Sequence, residues 1–255
     1  MDIILMGKNR LELLRQWRNS PEYREICVKQ KQECDRLVRI AQQIYADIED
    51  IRVRAENATV RTEMAVGGNI HRGVYCPSPI LDIVVGNVSR GRILKRATSL
   101  SKVSHQFEFD NKGSLLSSKS IGNDMLDVVE YIVHQGVNIY GLAIDPSYGP
   151  TFISEESFVD QKLVAYRYAN LICEDNGLGC LTLHSESYHY DNLGLKSSDW
   201  VDYRAVINSF DFRHYEFERE NGYLSTYKAI EKPFDQNQKL LSFLPTYTIQ
   251  HKRKS

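Results

Sequence analysis

The chain has 255 residues, 42% hydrophobic and 25% charged, with 15 Tyr and 9 Phe against 2 Trp, which supplies one large core with a β-leaning aromatic set. Its 32 basic and 33 acidic residues give a net charge of −1, which excludes an overall electrostatic footprint for nucleic acid. No stretch approaches the roughly 20 apolar residues of a membrane helix.

The opening Met1-Asp2-Ile3-Ile4-Leu5-Met6-Gly7-Lys8 has an acidic second residue and an apolar run too short for a signal peptide. Cys27, Cys34, Cys76, Cys173 and Cys180 are odd in number and scattered, unlike a secreted disulfide framework. Absence of both a membrane helix and a signal peptide favours the cytoplasm, and no membrane contact is expected.

Residues 8–18 read as a short helix with Leu11, Leu14 and Trp17 on one face. Ser20-Pro21-Glu22 starts a second helix, with Ser as N-cap and Pro at the first position. It runs to about Ala58 without Pro or Gly and ends before Gly67-Gly68. Cys34, Leu37, Ala41, Ile44, Ile48 and Ile51 form an apolar seam at alternating spacings of three and four. The seam packs on the protein's own sheet or against helix 8–18, or it joins two copies or a partner helix through helix 21–58.

Residues 69–80 read as a loop, and Leu81–Val88 as a buried strand in which Gly86 marks a bulge or a close backbone approach. Strands joined by turns follow at 92–98, 103–110, 115–121, 138–144, 162–173, 180–190, 200–209, 210–219 and 223–230. Between them, 124–135 reads as a helix, with Asn123 as N-cap, Asp124 and Asp127 in its first turn and Gly136 as its stop. Residues 145–160 read as a long loop with one helical turn after Ser154.

The expected fold is α+β. A long N-terminal helix, preceded by a short one, packs on a large antiparallel meander with one inserted helix at 124–135. The parts are a helical segment 1–68, a sheet domain 69–232 and an irregular tail 233–255. The basic His251-Lys252-Arg253-Lys254 reads as a solvated terminus.

A pattern of alternate aromatics followed by a polar Gly turn recurs. It is Phe107-Glu-Phe-Asp-Asn-Lys-Gly113-Ser-Leu115, Tyr188-His-Tyr-Asp-Asn-Leu-Gly194-Leu195 and Tyr215-Glu-Phe-Glu-Arg-Glu-Asn-Gly222-Tyr-Leu224. Tyr166-Arg-Tyr168, followed by Glu174-Asp-Asn-Gly177, is a looser copy. Alternate aromatics share one strand face, while Asp-Asn and Gly accept the backbone of a tight turn, so each copy is a hairpin. The pattern resembles the YD repeats of bacterial polymorphic toxins over about 60 residues. A small chain of this texture resembles the immunity proteins encoded beside such toxins. That resemblance implies a protein partner, a toxin domain whose active surface is covered, and no catalytic motif.

The chain lacks a Gly-rich phosphate loop, a Gly-x-Ser-x-Gly elbow, His-Glu-x-x-His and Cys-x-x-Cys, so no cofactor is expected. Cys173 and Cys180 flank a hairpin loop, and a metal site with His184 and His189 requires one face. The period of two puts His189 opposite His184, so core thiols without metal are expected. His184, Glu186, Tyr188 and Tyr190 share one face of the most polar strand, and Ser185, Ser187, His189 and Asp191 the other. Arg213, Tyr215, Phe217 and Arg219 share a face of another. These Arg and aromatic side chains, with His184, Glu186 and Tyr188, are the candidate partner-binding residues. His71, Arg72, Tyr75 and Cys76 lie together in a loop, where packing outweighs a nucleophilic role for the thiol.

Three functions are compatible with the sequence. A non-catalytic immunity-type binding protein fits best. A hydrolase or nuclease would use His184, Glu186 and His189, and a scaffolding subunit would dimerise through helix 21–58.

Overall fold

The local chemistry at the front of the chain produces the helices the sequence announces. In the computed structural model, α1 spans Ile3–Arg18 and α2 spans Pro21–Ala46. Ser20 Oγ accepts from the Tyr23 amide at 3.1 Å, the N-cap bond expected of Ser before Pro. Replacing Ser20 with Ala is expected to cost about 1 kcal/mol, read as a shift in the urea midpoint at unchanged slope.

The structure describes residues 3–85, 88–95, 103–121, 128–174, 177–220 and 223–231. The expected single helix to Ala58 is broken at Asp47, and α3 occupies Ile48–Ala58. Of the seam, Cys34, Leu37, Ala41, Ile44 and Ile51 are buried within one chain and Ile48 is half-buried. The seam therefore serves internal packing and offers no exposed stripe for a second copy.

Among the described residues, twelve strands form one antiparallel sheet in the order β12-β11-β10-β9-β8-β7-β6-β5-β4-β3-β1-β2. They are β1 Arg61–Val66, β2 Arg92–Ile93, β3 His105–Phe109, β4 Leu115–Ser120, β5 Val128–Gln135, β6 Asn138–Asp145, β7 Gly149–Val159, β8 Lys162–Glu174, β9 Gly177–Asp191, β10 Gly194–Arg204, β11 Ser209–Glu220 and β12 Tyr223–Glu231. Short connections make neighbours in sequence neighbours in space, except that β1 inserts between β2 and β3. The α+β class with an antiparallel meander is what the hairpin signals predict.

Those hairpins close by the expected chemistry. Asp110 Oδ1 accepts from the amides of Lys112 and Ser114, both at 2.8 Å, and Gly113 has φ +82°. Asp191 Oδ1 accepts from Leu193 and Gly194, and Gly194 has φ +118°. Asn221 and Gly222 of the third copy lie outside the described residues.

Five expectations fail. Residues 128–135 form β5, not the end of a helix 124–135, while Asn123, Asp124 and Asp127 lie outside the described residues. Val-Val-Glu-Tyr-Ile-Val favours a strand, because branched Cβ atoms crowd a helix and fit a pleat. Gly136 does adopt a left-handed φ of +62°, but in the turn joining β5 to β6. Residues 145–160 are not a long loop. Asp145 caps a tight turn through the Ser147 and Tyr148 amides, and β7 begins at Gly149.

Leu81–Val84 is a helical turn, α4, not part of a strand, with Ser78 Oγ accepting from the Ile80 and Leu81 amides. Gly86 lies outside the described residues. Residues 61–66, read as the helix's continuation, are β1. Residues 200–209 divide at a turn, because Asn208 takes a left-handed φ of +46° in place of a glycine.

The chain divides into two units, one of residues 1–35 with 182–255, the other of 36–181. The divisions fall inside α2 and β9. In the first unit Tyr23 stacks on Phe210 at 4.5 Å, and Trp17 meets both rings edge-on. Gln30 accepts from Ser185 Oγ at 3.3 Å, so α2 lies on the face of β9 that carries Ser185. In the second unit Arg36 of α2 pairs with Glu155 of β7 on one sheet face, and segment 67–85 covers the other.

Candidate functional site

Two adjacent glutamates in β7 show how the second unit uses charge. Successive strand residues point to opposite faces, so Glu155 and Glu156 cannot share a partner. Glu155 receives Arg36 at 2.7 and 2.8 Å and Arg167 at 2.8 Å. Burial opposes its charge, but the Arg36 and Arg167 guanidiniums outweigh this and hold its pKa below the ordinary carboxylate value. Glu156 meets Arg72 on the opposite face.

Arg72 is the centre of that face. It is 4% exposed, with a left-handed φ of +54°. Its Nε and Nη2 clamp Glu130 at 2.9 and 2.8 Å, and Nη2 also donates to Ser154 Oγ at 2.9 Å. Glu130, 2% exposed, accepts in addition from Ser154 Oγ at 2.8 Å and from His71 Nε2 at 3.0 Å. The other ring nitrogen of His71 meets the Tyr166 hydroxyl at 2.5 Å. Burial works against ionising Glu130, yet the charges of Arg72 and His71 dominate and press its pKa far below the ordinary value. A Cβ at Gly141 would overlap both Glu130 and Arg72, so this strand position requires glycine.

Sequence reasoning placed His71 and Arg72 in one loop but missed Glu130, because it lay in an expected helix. Gly141 in the middle of β6 is the signal that marks the close approach. Tyr75 donates its hydroxyl to Glu63 and packs edge-on against Phe107, while Cys76 is buried.

In the first unit, the expected face of β9 is real. His184 Nδ1 meets Asp202 at 2.7 Å and its Nε2 meets Glu186 at 2.7 Å. Tyr188 donates to Glu186 Oε2 and Trp200 Nε1 donates to Asp202 Oδ2. Burial disfavours the imidazolium, but bonds to Asp202 and Glu186 prevail and raise its pKa to about 9. A histidine held protonated is no general base at neutral pH. His189 pairs with Asp199 at 3.3 Å, and Asp199 also accepts from His214 at 2.7 Å. The register aligns Asp199 with Ser187 and Asp202 with His184, on opposite faces. The structure thus unites His184 with Glu186 and leaves His189 apart, which removes the convergence a hydrolase or nuclease at these residues requires.

Arg213, Tyr215 and Phe217 share the His184 face, with Trp200 opposite Arg213 and Ser198 opposite Tyr215. Tyr215, Tyr188 and Glu186 are buried, whereas Arg213, Phe217 and Arg219 are half-buried. Contact with a partner on this face would rest on the latter three. Cys173 is exposed and donates its thiol to the Tyr148 carbonyl, Cys180 is half-buried, and the described residues contain no cluster of three metal-binding side chains.

No protein-family model, curated protein or solved structure matches this chain.

Proposed function

We propose that this chain is a non-catalytic cytoplasmic binding protein of the immunity type, which neutralises a toxin domain by covering its active surface. The observation that carries this reading is a contrast between two sets of side chains. Inward-facing acids and bases are tied to one another in saturated networks around Glu130 and His184. Around the β6–β7 tip, by contrast, aromatic side chains stand open, with Tyr148 73% exposed and Tyr45 42% exposed. They border an open cleft of about 870 Å³ in the 36–181 unit, with Tyr131, Pro146 and Pro150 in its wall. Tyrosine on a rigid hairpin tip supplies contact area at low entropy cost.

Glu49, Asp145 and Glu174 outnumber Arg52 along the cleft, and Arg52 already pairs with Glu49 and Glu56. That balance suits a partner whose basic surface surrounds an apolar anchor. No helix among the described residues is long and apolar enough to cross a membrane.

Coexpression with the protein encoded beside it in the native host is expected to rescue growth, and the two are expected to copurify. Tyr148→Ala together with Tyr45→Ala is expected to weaken the complex roughly 30-fold or more. Absence of both rescue and copurification ends the reading. A loss on Arg213→Ala or Arg219→Ala alone would move the contact to the β11 face.

A further inference from the structure

Beside the Glu130 network, β3, β4, β5, β7, β8 and segment 68–72 line a cavity of about 360 Å³ that is open on one side. That volume falls in the range of small-molecule sites. His105, 6% exposed, Ser118, 5% exposed, and the half-buried Tyr168 line it. Among the described residues, no protein group bonds to His105 Nε2, Ser118 Oγ or the Tyr168 hydroxyl. These three atoms are open to a ligand, whereas the acids and bases of this wall are satisfied among themselves.

One tautomer of His105 follows from the partner chosen by its neighbour Ser104. The Ser104 hydroxyl lies 3.3 Å from the Ala65 carbonyl and 3.1 Å from His105 Nδ1; when its proton goes to Ala65, its oxygen accepts from the Gly68 amide and from Nδ1. In that tautomer Nδ1 carries the ring proton and Nε2 is a bare acceptor. Burial, aided by His71, lowers the His105 pKa and keeps the ring neutral. Tyr168 offers a phenolic donor, and Ser118 donates or accepts.

The cavity does not suit an anion. Among the described residues Arg72 is its one guanidinium, and Glu130, Glu156 and Ser154 already engage it. Two carboxylates against one guanidinium leave no surplus positive charge. The walls combine polar groups with apolar and aromatic ones, Ile70, Ile121, Val128 and the Phe152 and Tyr168 rings, which lie 4.9 Å apart.

We propose that this cavity binds a neutral heteroaromatic lactam of the nucleobase class, whose ring N–H meets His105 Nε2 and whose carbonyl meets the Tyr168 hydroxyl. The site goes beyond the toxin-binding reading, and neither depends on the other.

The test is calorimetry and thermal unfolding of the full chain with uridine, 3-methyluridine and inorganic phosphate. Uridine is expected to bind and to raise Tm. 3-Methyluridine, which lacks the ring N–H, is expected to bind about tenfold more weakly. Tyr168→Phe is expected to weaken uridine about tenfold while leaving the unliganded Tm unchanged, because the phenol has no protein partner. His105→Phe is expected to weaken it similarly. No response to uridine, equal binding of uridine and 3-methyluridine, or stabilisation by phosphate alone would overturn the proposal.

Discussion

Arg72→Ala is expected to destabilise the protein by about 3–5 kcal/mol, a large part of the roughly 5–15 kcal/mol that holds a typical domain folded. The substitution strands two carboxylates, Glu130 and Glu156, on one covered sheet face. Only His71 then remains beside Glu130 as a potential cation. Glu130→Ala is expected to cost less, because Arg72 retains Glu156 and Ser154. Urea unfolding of both variants measures the order. An Arg72→Ala cost below about 1 kcal/mol would put the pair in the class of exposed ion pairs and refute its structural role.

The same network sets the acid limit. The folded state depresses the Glu130 pKa, so its stabilisation is complete above the unfolded value of about 4.3 and is lost as pH falls through the lower folded value. Acid unfolding of the native chain should therefore steepen below about pH 4, and Glu130→Ala should lose that component.

His184 acts with the opposite sign. Its pKa is raised to about 9 in the folded protein against an ordinary value near 6.5. Its contribution is complete below about pH 6.5 and lost as pH rises through about 9. The loss should approach about 3 kcal/mol, from the size of that separation. Urea midpoints from pH 6 to 10 should fall for the native chain and fall less for His184→Gln. The Tyr215 phenol, raised to about 12 mainly by burial, titrates above this window. A native midpoint flat between pH 7 and 9.5 would show that Asp202 and Glu186 do not hold the imidazolium.

The two networks also mark where sequence reasoning stopped. Ser20-Pro21, the Asp-to-Gly turns at 110–113 and 191–194 and the seam from Cys34 to Ile51 were legible because their causes lie within a few residues. β5 and β7 were not. Glu130 reads as a helix-surface acid and Glu155-Glu156 as a polar loop, because their partners, Arg72 and Arg36, lie 58 to 119 residues away. Once those partners are in place, the glutamates become strand residues facing covered surfaces. His184 and Glu186 were found together because two residues along a strand share a face. Asp202, which completes their network, comes from the next strand and depends on register.

The sequence by itself determined the helical start, the hairpin corners and the antiparallel class, since each follows from local backbone preference and the period of apolar residues. Only the tertiary structure decided which charged residues are inside, because burying a charge is favourable only where a distant partner of opposite sign meets it. That pairing converted an expected loop and an expected helix into strands and built the wall of the one cavity proposed here to take a ligand.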